Sequence, residues 1–177
     1  MNKLQFSLAL AAITTAAVAR ADDKPTVHWP QFRGPQASGV AVGKTPTKWD
    51  ATKGDGVKWM TAIPGLGHSS PVIWGDKVFI TTAVSGQKDP MLRVGLYGDI
   101  APVEDDTEHS YRVYCLDKST GKIIWEKESW KGVPAVKRHT KATHANCTPA
   151  TDGKHLVVFF GSEGLYCYDL AGELKWK

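Results

Sequence analysis

The stretch CLDKSTGKIIW (115–125) decides the fold, because it fixes a turn and an aromatic side chain at set distances from each other. Asp117 stands where its carboxylate can accept hydrogen bonds from the backbone N–H groups of a turn. Gly121 supplies the positive φ that such a turn requires. Trp125 follows and offers a large flat side chain to a neighbouring sheet. The stretch therefore predicts a tight hairpin that leads into a docking tryptophan.

A second copy of the pattern, CYDLAGELKW (167–176), is one residue shorter and keeps the aspartate, the glycine and the tryptophan. The tripeptide VKW (57–59) looks like the end of a further copy. Upstream of each full copy, SPVIWGDKVFITT (70–82) and TPATDGKHLVVFF (148–160) share a proline, a glycine turn and an apolar run. This internal repetition predicts a four-stranded meander of about the size of a propeller blade.

Short runs of β-branched and aromatic residues, separated by glycine-containing turns, fill most of the chain after residue 56. The strands predicted from these runs are 57–63, 70–74, 77–84, 110–117, 122–129, 146–151, 155–161, 164–170 and 173–177. No stretch shows a sustained helical period. The sequence predicts an all-β, antiparallel fold, a partial β-propeller of about two four-stranded blades plus one extra outer strand at 57–63.

The stretch 115–125 resembles the tryptophan-docking motif of PQQ-like (pyrroloquinoline-quinone-like) β-propeller repeats, A-x-D-x-x-T-G-K-x-x-W, with Cys115 at the alanine position. The matching positions are Asp117, Thr120, Gly121, Lys122 and Trp125 in the first copy and Asp169, Gly172 and Trp176 in the second. The opening WPQFRGPQASGV (29–40) is similar to exported bacterial proteins with PQQ-binding-like propeller repeats. The resemblance implies a structural docking role for the matching residues. It assigns 57–177 to an incomplete propeller, so the chain looks like an N-terminal fragment.

The N-terminal residues 1–21 have the pattern of a secretory signal peptide: Lys3, an uncharged run over 4–19, and the cleavage pattern Ala19-Arg20-Ala21. The run is too short and too polar to predict a membrane span, and no cysteine before Cys115 offers a lipid anchor. We expect export to the periplasm or secretion. Residues 22–56, rich in Pro, Gly, Lys and Asp, are predicted to form an extended lead-in over the folded body.

Charge and cysteine content argue against two classes of function. The formal net charge of +4 comes from scattered lysines and arginines, so the sequence offers no basic patch for nucleic acid. The three cysteines, Cys115, Cys147 and Cys167, form no C-x-x-C pair. We expect the three cysteines to be small buried hydrophobic side chains rather than parts of a zinc or redox site.

Polar residues fall at the starts of two predicted strands, which the resemblance places along a central channel. His68 and Ser69 open one of these strands, and Asn146 opens the other. The three side chains are candidates for holding a small ligand. The alternative is that they satisfy backbone groups at strand ends. His139 and His144 are metal-ligand candidates by residue type alone, since no carboxylate accompanies them.

One insertion, residues 85–109, separates the second and third strands of the first unit, where the second unit has only two residues. We expect a surface excursion that leaves the strand ladder intact. Its acidic residues either bind Ca²⁺ through their carboxylate oxygens or belong to a solvated loop. These residues are Glu104, Asp105, Asp106 and Glu108.

The sequence contains no catalytic constellation and no evident cofactor or metal site. His68 and Ser69 are adjacent on a strand and point to opposite faces, so they do not form a nucleophile–base pair. The sequence favours an exported scaffold that contacts a protein or small-molecule ligand at the channel mouth or the loops. The alternative implied by the resemblance is a quinoprotein oxidoreductase, with PQQ and Ca²⁺ held mostly by residues outside this sequence.

Overall fold

Two antiparallel four-stranded sheets form the fold, as a computed structural model shows for residues 27–88, 92 and 100–177. The first sheet contains β1 (Val72–Trp74), β2 (Lys77–Ser85), β3 (His109–Asp117) and β4 (Ile123–Gly132). The second contains β5 (Ala150–Thr151), β6 (His155–Phe159), β7 (Leu165–Asp169) and β8 (Leu174–Trp176). The predicted signal peptide lies outside the described residues. Within them, no helix has the length and apolar character needed to cross a membrane.

The order of the strands confirms the predicted all-β, antiparallel fold. In each sheet, strands that follow one another in the chain are hydrogen-bonded neighbours, which makes each sheet a simple meander. Two short 3-10 helices, Pro35–Ala37 and Gly161–Glu163, are the helical elements of the described residues. Sheets of this kind are compatible with propeller blades.

The predicted extra strand at 57–63 is wrong, because this segment joins no β-ladder. Trp59 and Ile63 from this segment pack instead against a small core beneath the first sheet, formed by Val78, Tyr114 and Leu116. The apolar pattern correctly indicates burial, but a strand also needs a hydrogen-bonded neighbour, and no apolar pattern specifies one. The segment is therefore a covering of the sheet rather than a member of it.

One cross-strand row of residues recurs in both sheets. It runs through Val72, Phe79, Cys115 and Trp125 in the first sheet and through Ala150, Val157, Cys167 and Trp176 in the second. In both sheets the register slips immediately after the cysteine, between Cys115 and Leu116 and between Cys167 and Tyr168. The repeats in the sequence thus correspond to one shared register, with the same irregular step.

The main core lies between the two sheets. Phe79 and Cys115 of the first sheet and Leu156 and Val158 of the second are almost fully buried in one apolar cluster. Each large side chain buried in this way stabilises the fold by roughly 1.5–3 kcal/mol. Trp130 belongs to this region as well, because its ring packs edge to face on the buried Tyr111 at 5.0 Å between ring centroids.

The segment that precedes the sheets ties their first strands together. Trp29 exchanges two backbone hydrogen bonds of 2.8 Å with Ile73 in β1. The next residue, Pro30, accepts a backbone hydrogen bond of 2.9 Å from Thr151 in β5. The described lead-in thus contacts both sheets at their first strands, β1 and β5.

The insertion leaves the ladder between β2 and β3 intact, as predicted, since the two strands pair as far as Ser85 and His109. The expectation of a pure surface excursion is wrong for its last part. Val103 is 5% exposed and Asp105 is 7% exposed, so both side chains enter the interior. We call residues 100–108 the return segment.

Candidate functional site

Trp125 makes a hydrogen-bonded contact between the two sheets. Its indole Nε1 donates a hydrogen bond of 3.2 Å to the backbone carbonyl of Leu170, in the turn between β7 and β8. The ring lies over Gly172, where an added Cβ would lie 2.9 Å from Trp125 Cδ2. Gly172 also has a φ of 87°, which side chains rarely adopt. Only glycine combines that turn with so close an approach.

Trp59 makes the same contact with the turn between β3 and β4. Its indole Nε1 donates to the carbonyl of Lys118 at 2.9 Å. A Cβ on Gly121 would lie 2.4 Å from Trp59 Cε3, and the φ of Gly121 is 72°. Thr61 adds a hydrogen bond of 2.7 Å to the carbonyl of Gly121. Trp59 and Trp125 thus dock on the turns at Gly121 and Gly172 in one geometry.

The aspartate of each copy organises its turn. Asp117 Oδ1 accepts hydrogen bonds from Thr120 N at 2.7 Å, Thr120 Oγ1 at 2.8 Å and Ser119 N at 3.0 Å. These hydrogen bonds, Thr120 first, hold the pKa of Asp117 below its ordinary value. Lys122 contributes its backbone carbonyl, which accepts from Asp117 N at 2.8 Å, and its side chain is exposed.

The shorter copy compensates for its missing threonine with a lysine. Asp169 Oδ1 accepts from Ala171 N and Glu173 N, both at 2.9 Å. Lys175 Nζ lies 2.6 Å from Asp169 Oδ2 and, together with the backbone hydrogen bonds, lowers the pKa of Asp169 to about 2. Both turns are therefore built around an ionised aspartate.

Trp176 occupies the position of Trp125 in the second sheet, but no described turn covers it. Its side chain is 48% exposed. Trp176, Val157 and Cys167 line a cleft of about 540 Å³ on the outward face of the second sheet, and Pro30 lies beside it. We call this surface the open face. It is the counterpart of the face on which the first sheet packs against the second.

The three predicted ligand residues come together around one backbone carbonyl. His68 N and Ser69 N both donate to the carbonyl of Ala145, at 3.0 and 3.1 Å, and Asn146 follows directly. Asn146 Oδ1 accepts from Thr143 N and Thr143 Oγ1, both at 2.9 Å. The backbone N–H groups of His68 and Ser69 thus join the segment before β1 to the segment before β5, and the side chain of Asn146 organises the turn at Thr143. The side chains of His68 and Asn146 are exposed.

A buried polar cluster beside the return segment is a feature that sequence reasoning missed. Asp105 and His109 lie in the interior, with Asp105 Oδ2 3.4 Å from His109 Nε2. The ring of His144 meets that of His109 edge to face, at 5.1 Å between centroids. Burial first, then the charges of His109 and Arg138, lower the pKa of His144 to about 4. Nothing in one sequence distinguishes Asp105 from the acids beside it.

The acidic run does not fit a Ca²⁺ site. Glu104 and Asp106 contact Lys137, Glu108 pairs with Lys131 at 2.8 Å, and Asp105 turns inward. Across the described ranges, no three histidine, cysteine or carboxylate groups gather as a metal site would require. The four acidic residues therefore do not form a Ca²⁺ site with one another.

No protein-family model matches this chain, and no curated protein matches it either. Function is therefore inferred from the docking contacts, the open face and the polar clusters.

Proposed function

We propose that this chain is an exported PQQ-like β-propeller repeat protein that serves as a binding scaffold, and that the open face is its main contact surface. The observation that carries this proposal is the repeated docking of tryptophans on glycine turns. Trp59 and Trp125 each donate an indole hydrogen bond to a carbonyl of the turn they cover. Trp176 has the register position in the second sheet that Trp125 has in the first, and its side chain is half exposed.

The partner that fits the open face is another four-stranded unit with a glycine turn. The first sheet presents Phe79, Cys115 and Trp125 to the second sheet. The second sheet presents the equivalent residues, Val157, Cys167 and Trp176, on its outward face. A partner sheet would bury the cleft beside Trp176 and offer a turn carbonyl to its indole. The apolar character of the row and the exposed indole donor both support a protein partner.

The polar residues near the first strands support a scaffold rather than an enzyme. Ser69 Oγ accepts from Thr81 Oγ1 at 2.8 Å, and Ser70 N donates to Thr148 Oγ1 at 3.0 Å. The first contact lies within the first unit, and the second joins the segments that precede β1 and β5. Export rests on the sequence pattern of residues 1–21 and remains part of the proposal, with the periplasm or the medium as its destination.

The open face can be tested with a hydrophobic dye and sedimentation velocity on the purified chain. We expect dye binding and self-association, and Trp176→Ser should reduce both because it removes the centre of the apolar row. The matched control is Ile124→Ser, since Ile124 is 50% exposed on β4 and Trp176 is 48% exposed. An equal decrease of dye binding and self-association in the two variants, or no dye binding by the wild type, would contradict the proposed surface.

Titration with PQQ and Ca²⁺ tests whether this chain itself supplies the ligands that an oxidoreductase would need. The expected result is an absorption spectrum equal to the sum of the separate components. A stoichiometric complex with shifted quinone absorption would contradict the scaffold and favour the oxidoreductase.

A further inference from the structure

One face of the second sheet receives the first sheet. Its residues are almost fully buried in the main core and lie at alternate positions of β6 and β7. They form two pairs in the ladder between these strands, Leu156 with Tyr168 and Val158 with Tyr166. The pairs flank the pair of Val157 with Cys167, which lines the open face. We call such a set of four residues a receiving face.

The first sheet carries a receiving face at the same register positions. Its two pairs in the ladder between β2 and β3 are Val78 with Leu116 and Ile80 with Tyr114. They flank the pair of Phe79 with Cys115, which is buried against the second sheet. Because successive side chains of a strand alternate between faces, the four flanking residues lie on the side away from the second sheet. The first sheet therefore has on that side the kind of apolar surface with which the second sheet receives its neighbour.

A single extended segment, residues 57–63, covers this surface. Trp59 and Ile63 pack on it, and Trp59 docks on the turn at Gly121. The side chains that point away from the sheet are exposed, with Met60 73% exposed. In the described residues no strand pairs with the segment, so its backbone groups stand outside any ladder. One strand-like segment thus occupies the place that a whole sheet occupies on the second unit.

The segment is attached more firmly at its C-terminal end than at its N-terminal end. Residues 51–56, which precede it, are all exposed. The residues that follow it are fixed to β2, because the carbonyl of Pro64 accepts from Thr82 Oγ1 at 2.8 Å and Leu66 exchanges two backbone hydrogen bonds with Ala83. The segment can therefore leave the receiving face while the chain after it stays in place.

We propose that a second copy of this chain docks its open face on the receiving face of the first sheet, with Trp176 of one copy replacing Trp59 of the other on the turn at Gly121. This inference rests on the proposed contact surface and names its partner. Three tryptophans, Trp59, Trp125 and Trp176, have the docking position, but the chain has two turns between a third and a fourth strand to receive them.

The interface between copies repeats the interface between the two sheets of one copy. The open face carries the residues equivalent to those that the first sheet presents to the second, and the receiving face of the first sheet is equivalent to that of the second. The two surfaces differ from each other, so copies assemble head to tail. Segment 57–63 competes with the second copy for the same surface and so limits assembly.

The first test needs no variant. Hydroxyl-radical footprinting compares the full chain at low and high concentration, with its association state known from sedimentation velocity. As the chain associates, oxidation of Trp176 should fall because it docks, and oxidation of Trp59 should rise because it is displaced. Trp49, which is 68% exposed in the lead-in, should keep its rate and is the reference.

Two results of this measurement would overturn the inference, and they separate it from the proposed contact surface. Protection of Trp176 with unchanged oxidation of Trp59 would keep the open face as a contact surface but exclude the receiving face of the first sheet as its partner. A chain that stays monomeric, or associates without protection of Trp176, would contradict both.

The second test uncovers the turn at Gly121 by the substitution Trp59→Ser. This variant should associate at lower concentration than the wild type, because no tryptophan of its own competes for the turn. Adding Trp176→Ser should abolish that association, whereas adding Ile124→Ser, at a residue as exposed as Trp176, should leave it unchanged.

The double variant Trp59→Ser/Trp176→Ser keeps an uncovered turn but has no tryptophan to dock. Mixed with the wild type, it should form a complex of one copy of each, detected by sedimentation velocity. Association of the double variant with itself as strong as that of Trp59→Ser, or no gain of association in Trp59→Ser, would overturn the proposal.

Discussion

Trp125 lies over Gly172, and its indole nitrogen donates a hydrogen bond to the carbonyl of Leu170 two residues before that glycine. The contact joins the last strand of one sheet to the outer turn of the next. The same relation between Trp59 and Gly121 fixes residues 57–63 against the first sheet. Contact between a tryptophan and a glycine turn thus recurs at two places in the fold.

We predict that Gly121→Ala destabilises the protein by about 2–4 kcal/mol, because the new methyl group would meet the Trp59 ring at a strained positive φ. The control is Gly75→Ala, since Gly75 also has a positive φ, 61°, but nothing within 4 Å of an added Cβ. That variant should lose only about 1 kcal/mol. Urea denaturation measures the free energy of unfolding of both variants. An equal decrease in the two variants would mean that the close approach to Trp59 is unimportant.

The three thiols should differ in reactivity according to burial. Cys115 and Cys167 are buried, and burial raises the pKa of the Cys115 thiol to about 12, whereas Cys147 is exposed. We expect one thiol to react rapidly with a disulfide reagent in the native protein and three after denaturation. Cys147→Ser should abolish the rapid reaction. Rapid labelling that persists in this variant would contradict the burial of the two strand cysteines.

The return segment should contribute to stability through its apolar anchor. Val103→Ala removes two buried methyl groups and is expected to lower the free energy of unfolding by about 1–2 kcal/mol. Val133→Ala is the control, because Val133 is 55% exposed and should change stability little. If thermal unfolding shows the same midpoint for both variants, the segment is not part of the core.

Acid should destabilise the protein through His144. Its pKa of about 4 in the folded protein lies below the value of 6.5 expected when unfolded, so the unfolded chain binds more protons between these values. Stability is complete above pH 6.5 and falls as the pH falls towards 4, by at most about 3 kcal/mol.

His144→Gln cannot take up this proton, and its free energy of unfolding should therefore fall less between about pH 7 and pH 5. His68→Gln alters an exposed ring and should leave the wild-type slope unchanged. Urea titrations at the two pH values measure these slopes. If the free energy of unfolding of His144→Gln falls with pH as steeply as that of the wild type, another group causes the loss of stability in acid.

The features predicted correctly from sequence are those that neighbouring residues specify. Alternation of apolar residues and the turns at Gly121 and Gly172 act over a few positions, and they were sufficient to predict two antiparallel meanders. The repeat of Cys115 and Trp125 at Cys167 and Trp176 predicted a repeated meander, and the structure shows that each pair also shares one register position.

The features that sequence analysis missed depend on groups far apart in the chain. Residues 57–63 have a strand pattern but no neighbouring strand in the described residues, and pairing is not encoded locally. Asp105 is buried because Ser85 and His109 converge on it in the fold. The exposed Asp106 beside it has the same side chain, so composition could not separate them.

The most direct test of the docking contact compares the two equivalent tryptophans, Trp125 and Trp176. Both follow a glycine turn and pair with a cysteine in the register, but only Trp125 covers a described turn. Trp125→Ala should lower the free energy of unfolding by about 3 kcal/mol, since the indole loses its packing and its hydrogen bond. Trp176→Ala should cost less than about 1 kcal/mol, because nearly half of that side chain is already exposed. Equal losses in the two variants, measured by urea denaturation under conditions where the chain is monomeric, would contradict the docking account.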